Sequence, residues 1–240
     1  MNKTYFFISD IHLGLLSREV EKQREKQLLK FLEFASESCD ELFIIGDLFD
    51  YWFEYKRVIQ KGFVRTLAAL EEFSEKGKRV HYIIGNHDFL HRDFFEVEVK
   101  AALYRHPIDV NLNGKRFFMG HGDGLVKNDI GYKILKKFLR NKFLQKIYSL
   151  VHPDLGIKIA SATSRTSRDY TANKHYGQID GLFEAAKTKI DSGFDFVIFG
   201  HSHERAFEKY LNGAYINLGT WLDKPCYGRF FDTFEIIDWQ

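Results

Sequence analysis

Residues 5–14 read YFFISDIHLG and residues 41–50 read ELFIIGDLFD: in each, an aromatic or β-branched run stops at a polar turn that carries an aspartate. The same plan returns in VHYIIGNHD (80–88), RFFMGHGD (116–123) and FVIFGHSH (196–203). Short runs of this kind, bounded by Gly or polar residues, predict buried strands. Tyr5–Ser9, Glu41–Ile45, Arg79–Ile84 and Phe194–Phe199 are four of them. Between the first three lie stretches with helical spacing, Glu19–Ser38 (Leu28, Leu29, Phe31, Leu32, Ala35) and Val58–Lys76 (Phe63, Leu67, Leu70, Phe73). Alternation of strand and helix predicts βαβ units with parallel strands.

Further along, the pattern changes. Asn113-Gly114 sits between two alternating runs in Asp109–Met119, and Asn212-Gly213 does so in Ala206–Leu218, which predicts two hairpins. Arg229–Ile237 reads as one more strand. Parallel units followed by hairpins predict an α/β fold of two stacked mixed β-sheets flanked by helices. Asp129–Val151 and Asp154–Thr163 have helical spacing with Pro153 at the break, and they interrupt that plan. The reading is one domain over 1–240, with a basic helical cap inserted at 127–174.

Composition narrows the class. An apolar fraction of 45% with only 3 Pro and 18 Gly in 240 residues describes a folded chain without a long linker. Cys39 and Cys226 form no CxxC pair or disulfide framework, which predicts a reducing, cytoplasmic setting. The opening residues lack the form of a signal peptide, and no apolar run approaches the roughly 18 residues of a membrane span. From Lys127 to Lys174 there are 11 Lys and Arg against 3 Asp, a net of +8, so the remaining 24 basic and 30 acidic residues net −6. A basic segment on an acidic body suggests an anionic partner. Its aromatics recur at helical spacing and the body is acidic, so no nucleic-acid partner is expected.

The strand ends carry the chemistry. Asp10 and His12 offer an oxygen and a nitrogen after the first strand; Asp47 follows the second; Asn86, His87 and Asp88 follow the third; His121 and then His201 and His203 follow later ones. Singly, each suits a turn, a cap or a hydrogen-bonded structural histidine. Together they hold five of the ten His of the chain. Strand ends of an open α/β sheet converge on one edge, where ligands bind. Mixed imidazole and carboxylate donors suit Mn, Fe or Zn. His81, His91, His106, His152 and His175 have no companion donor at short spacing and read as ordinary.

The ordered set DIH, GDLFD, GNHD, GHGD and GHSH resembles the calcineurin-like metallophosphoesterase superfamily. That resemblance implies one divalent ion on Asp10, His12, Asp47 and His203 and a second on Asp47, Asn86, His121 and His201, with Asp47 bridging and Mn²⁺ expected. It also implies a catalytic His87 facing the substrate phosphate, oriented by Asp88. The stretches FFISDIHLG, GDLFDYW, GNHDF and HGDGLVKNDIGYK further resemble the UDP-2,3-diacylglucosamine hydrolases of lipid A biosynthesis, peripheral enzymes of the inner face of the cell membrane. In the best-known branch of that family Arg follows the metal-binding Asn; His87 stands there in this chain, as in the wider superfamily. The resemblance implies a lipid-linked nucleotide sugar as substrate, touched by Asn86, His87, Asp129, Ser167, Arg168, Thr171 and Lys174. Leu135, Phe138, Leu139, Phe143, Leu144 and Ile147 at helical spacing read first as a face packed on the body, and by the resemblance they would also line an acyl groove. Lys133, Lys136, Lys137, Arg140, Lys142 and Lys146 would meet an anionic bilayer, at about 1 kcal/mol per charge.

Overall fold

The structure is a computed structural model that describes residues 2–125, 141–148, 150–156 and 178–240. Most of the expected cap therefore lies outside the described residues, including Asp129, Ser167, Arg168, Thr171 and Lys174. The first half alternates β1 (Tyr5–Ile8), α1 (Arg18–Ser38), β2 (Glu41–Ile45), α2 (Val64–Glu75) and β3 (Arg79–Ile83). A single turn, α3 (Phe94–Val97), leads to β4 (Ala102–Tyr104), followed by β5 (Ile108–Leu112) and β6 (Lys115–Met119). Within the inserted region stands α4 (Lys142–Tyr148). Then come α5 (Gln178–Asp191), β7 (Phe196–Phe199), β8 (Arg205–Tyr210), β9 (Gly213–Leu218), β10 (Cys226–Phe230) and β11 (Phe234–Asp238).

Two mixed sheets result, ordered β11-β10-β1-β2-β3-β4 and β5-β6-β7-β9-β8. The strands β1 to β4 run parallel, as the βαβ reading requires, and β6, β7 and β9 run parallel in the second sheet. Alternation along a strand sends neighbouring side chains to opposite faces. Phe6 and Ile8 accordingly pack with Leu28, Phe31, Leu32 and Leu67 of α1 and α2, while Tyr5 and Phe7 join Phe117, Met119, Ile198 and Ile216 between the sheets. On the far side, Leu182, Ala186 and Ile190 of α5 cover Val197, Phe199 and Tyr215. Helices on the outer faces leave the inner strands buried on both sides, which is why their sequences are continuously apolar.

Three local readings change. Arg229–Ile237 is not one strand: β10 and β11 pair antiparallel around residues 231–233. The second hairpin turns at Leu211-Asn212, with Tyr210 opposite Gly213, instead of at Asn212-Gly213. Gly213 is needed inside the strand, because a Cβ there would meet Ile190 Cγ2 and the Phe194 carbonyl oxygen at 2.8 Å. The second helix begins at Val64, after Gly62 at φ +116°, and not at Val58. Asn113-Gly114 turns as expected, both residues at positive φ. Among the described residues no helix is long and apolar enough to cross a membrane.

Candidate metal centre

The seven expected donors come from the C-terminal ends of β1, β2, β3, β6 and β7, which the sandwich brings to one edge. Asp10 and Asp47 at φ near 50°, His12 at 51°, His201 at 70° and His203 at 61° all lie in the left-handed region. Side chains other than Gly, Asn or Asp visit that region at a cost, and such strain gathers at functional sites. Here it turns each chain sharply at the strand end and points the donors inward. The Gly before the donor serves the same packing: a Cβ on Gly85 would collide with the Asp47 carboxylate, and one on Gly46 with the His121 ring.

The donors form two adjoining groups. Asp10, His12 and His203 lie with donor atoms within 4.8 Å of one another, and so do Asp10, Asp47 and His121. His12 Nε2 and His203 Nε2 are 2.9 Å apart. Asn86 Oδ1 lies 2.8 Å from His121 Nε2 and 2.8 Å from His201 Nδ1. Asp47 Oδ2 reaches both groups, 3.1 Å from His121 Nε2 and 3.8 Å from His12 Nε2. The His121 Nδ1–H donates to the Ile45 carbonyl at 3.0 Å, which leaves Nε2 as the donor atom toward the centre.

The electrostatics ask for positive charge. Burial acts to raise the Asp47 carboxyl, but His121, His87 and His12 hold it well below the usual carboxylate range. Asp10 is likewise lowered against its burial, by His203 and His121. His121 is pushed up to about 10, because Asp47 outweighs the loss of hydration. Burial, aided by the charge on His121, depresses His201 to about 4. Facing imidazole nitrogens at hydrogen-bond distance, beside buried carboxylates, need a proton or a cation between them. Carboxylate, amide and imidazole donors in this count fit two divalent ions.

A sequence model of calcineurin-like phosphoesterases matches residues 3–205. The chain belongs to the calcineurin-like phosphoesterase family. It is 30% identical over 220 residues, 85% of this chain and 84% of the other, to the UDP-2,3-diacylglucosamine hydrolase of Porphyromonas gingivalis. To the enzyme of that name from Haemophilus ducreyi it is 31% identical over 222 residues, 91% and 92% of the two chains. An archaeal phosphodiesterase structure superposes with TM-score 0.51 at 18% identity, covering 98% of this chain and 99% of that one, and so shares the fold. The family and the centre together make this phosphoesterase a metal-dependent phosphoric ester or pyrophosphate hydrolase.

The phosphoesterase departs from expectation around His87. Asp88 does not orient it. The fully buried Asp88 carboxylate accepts N–H groups from Gly85 at 2.8 Å and Leu48 at 2.9 Å and the Tyr82 hydroxyl, so it ties the Asp47 loop to the Asn86 loop. The ring of His87 meets Asp50 instead: Nδ1–H donates to the Asp50 carbonyl at 3.0 Å, with Asp50 Oδ1 3.6 Å away. The same Asp50 oxygen lies 3.7 Å from His12 Nδ1. His87 also shares a 4.8 Å group with His12 and Asp47, so distance alone does not separate it from the ligands. Its Nδ1 is held by the Asp50 carbonyl, which fixes the orientation of the ring. Burial lowers the His87 pKa.

Sequence reading missed Asp50, though it closes the GDLFD motif and stands three residues after Asp47. It also missed Asn217, which donates to the Gly200 carbonyl at 2.8 Å and to Ser202 Oγ at 2.9 Å and so holds the GHSH loop. No local pattern marks Asn217, because its partners lie 15 and 17 residues away.

Proposed function

We propose that this phosphoesterase splits the pyrophosphate of UDP-2,3-diacylglucosamine, giving UMP and 2,3-diacylglucosamine 1-phosphate. The observation that carries the reading is the match to relatives named for that substrate over 85% and 91% of the chain. Asp10, His12, Asp47 and His203 would hold one Mn²⁺, and Asp47, Asn86, His121 and His201 the other. Such a pair supplies Lewis-acid activation of water and neutralises charge at phosphorus. His87, held through its Nδ1–H by the Asp50 carbonyl, is assigned to the substrate phosphate, to which it would donate as the protonated imidazolium, a role worth about 10² to 10⁴ in rate. Asp88 keeps the Asp47 and Asn86 loops in register. The remaining substrate contacts are assigned to Asp129, Ser167, Arg168, Thr171 and Lys174 of the inserted segment, together with Asn86.

The inserted segment, in one domain with the sandwich, is assigned to the acyl chains and to an anionic membrane surface on the cytoplasmic side. Supporting this, Phe143, Ile147, Leu150 and Leu155 are exposed, with Lys146 exposed among them. Exposed apolar side chains beside lysines suit a headgroup boundary. Purified protein with Mn²⁺ is expected to release UMP from UDP-2,3-diacylglucosamine, and faster on anionic vesicles than on neutral ones. No UMP alongside brisk turnover of bis(4-nitrophenyl) phosphate would sink the assignment.

A further inference from the structure

Glu54 is a buried carboxylate outside the metal centre. Its Oε2 accepts the backbone N–H groups of Arg92, Asp93 and Phe94 at 2.8, 2.9 and 3.1 Å. Its Oε1 accepts the Trp52 indole N–H at 2.7 Å, and His91 Nδ1 lies 3.5 Å away. Burying a carboxylate is costly unless it is fully bonded, and four N–H donors offset that cost here. The backbone adds a bond from the Glu54 N–H to the Leu90 carbonyl at 3.2 Å and a bridge between Phe53 and Leu90. The chain that leaves Asp50 is thereby fastened to the chain that leaves Asp88.

The residues on either side of Glu54 meet Tyr148, Val151 and Gly156 of the inserted segment. The Phe53 ring meets Tyr148 edge-on at 4.9 Å, and the Tyr55 hydroxyl donates to the Val151 carbonyl at 2.9 Å. Tyr148 in turn donates to the Gly156 carbonyl at 2.5 Å, and a Cβ on Gly156 would come 3.0 Å from the Tyr55 hydroxyl. Alternation along an extended segment explains the division: Glu54 points one way into the body, while Phe53 and Tyr55 point the other way.

We propose that Glu54 is a positioning residue for substrate selection: by clamping residues 53–55 to 90–94 it fixes where Tyr148, Val151 and Gly156 of the inserted segment stand relative to the metal centre. This rests on the assignment of that segment to the acyl chains. It reaches no substrate itself and acts through Phe53 and Tyr55.

The test compares E54Q, which replaces an accepting oxygen with an NH₂ group, and Y55F, which removes only the hydroxyl on Val151. With Mn²⁺ and UDP-2,3-diacylglucosamine, both variants are expected to raise KM about tenfold, the scale of a small misplacement transmitted from a distance. Turnover of bis(4-nitrophenyl) phosphate and metal bound per chain are expected to stay at wild-type values. Hydrogen exchange of residues 141–156 is expected to quicken in both variants while β1 and β7 keep their protection. Equal losses on both substrates, or unchanged exchange at 141–156, would overturn the proposal. If E54Q does not fold, wild-type behaviour of Y55F on both readouts has the same force. A wild-type enzyme that turns over only the small diester would refute the substrate, and the exchange result would still decide the clamp.

Discussion

Asp47 Oδ2 stands 3.1 Å from His121 Nε2 and its Oδ1 accepts the His87 backbone N–H at 2.9 Å, so one side chain serves both donor groups and the loop of the third strand. Asp47→Asn removes a charge from the centre of the site. Metal affinity is expected to fall by more than about 100-fold, beyond the loss typical of an outer partner, as read by metal analysis after dialysis. His87→Ala separates the roles: kcat is expected to drop about 10² to 10⁴-fold with metal content unchanged. Loss of metal in that variant would make His87 a ligand. The candidate donors were legible because they follow strand ends, four of the seven directly behind a Gly. The partner of His87 was not: Asp88 is adjacent in sequence, yet its carboxylate faces Gly85, Leu48 and Tyr82, and Asp50, 37 residues from His87, takes the ring.

Elements are tied by contacts of the same kind. Glu41 on β2 meets the His81 ring of β3 at 2.9 Å and the Lys3 ammonium at 2.7 Å. The hydrogen bond from His81, then that from Lys3, holds the Glu41 carboxyl down to about 2 against an ordinary 4.5. A carboxyl lowered by folding stabilises above its ordinary pKa, so this contribution is complete above pH 4.5 and is lost as the pH falls toward 2. With Lys3 half exposed and screened, it amounts to about 1 to 2 kcal/mol. The gap in urea midpoint between wild type and Glu41→Gln is expected to shrink across that window. The β8–β9 turn offers a second test. Leu211 is 74% exposed at φ 47°, where an ordinary L side chain is strained. Leu211→Asn is expected to stabilise by about 0.5 to 1 kcal/mol, seen as a raised Tm. The sequence signal misplaced this turn by one residue because Asn-Gly is the usual hairpin pair, and the packing of Gly213 against Ile190 and Phe194 overrides it.

At the scale of the whole molecule, the metal centre lies where two sheets meet, with donors 191 residues apart in the chain, as His12 and His203 are. Cations held by the candidate donors would join β1 and β2 to β7 across the sandwich and would bind the folded chain alone. Adding Mn²⁺ at about 100 times its Kd is expected to stabilise by about 2.7 kcal/mol and to raise Tm, and chelation is expected to reverse that rise and stop hydrolysis. A Tm indifferent to Mn²⁺ would contradict a cation held between the sheets. Short windows of the sequence carry the strand ends, the two-sheet plan and the candidate donors at those ends, since strand period, turn residues and donor types are properties of such windows. Tertiary structure alone decided that Asp50 rather than Asp88 meets His87, that Asn217 holds the GHSH loop and that Glu54 fastens residues 53–55 to 90–94. A buried carboxylate or amide is satisfied by whichever donors packing brings to it, and those come from segments that no local pattern connects.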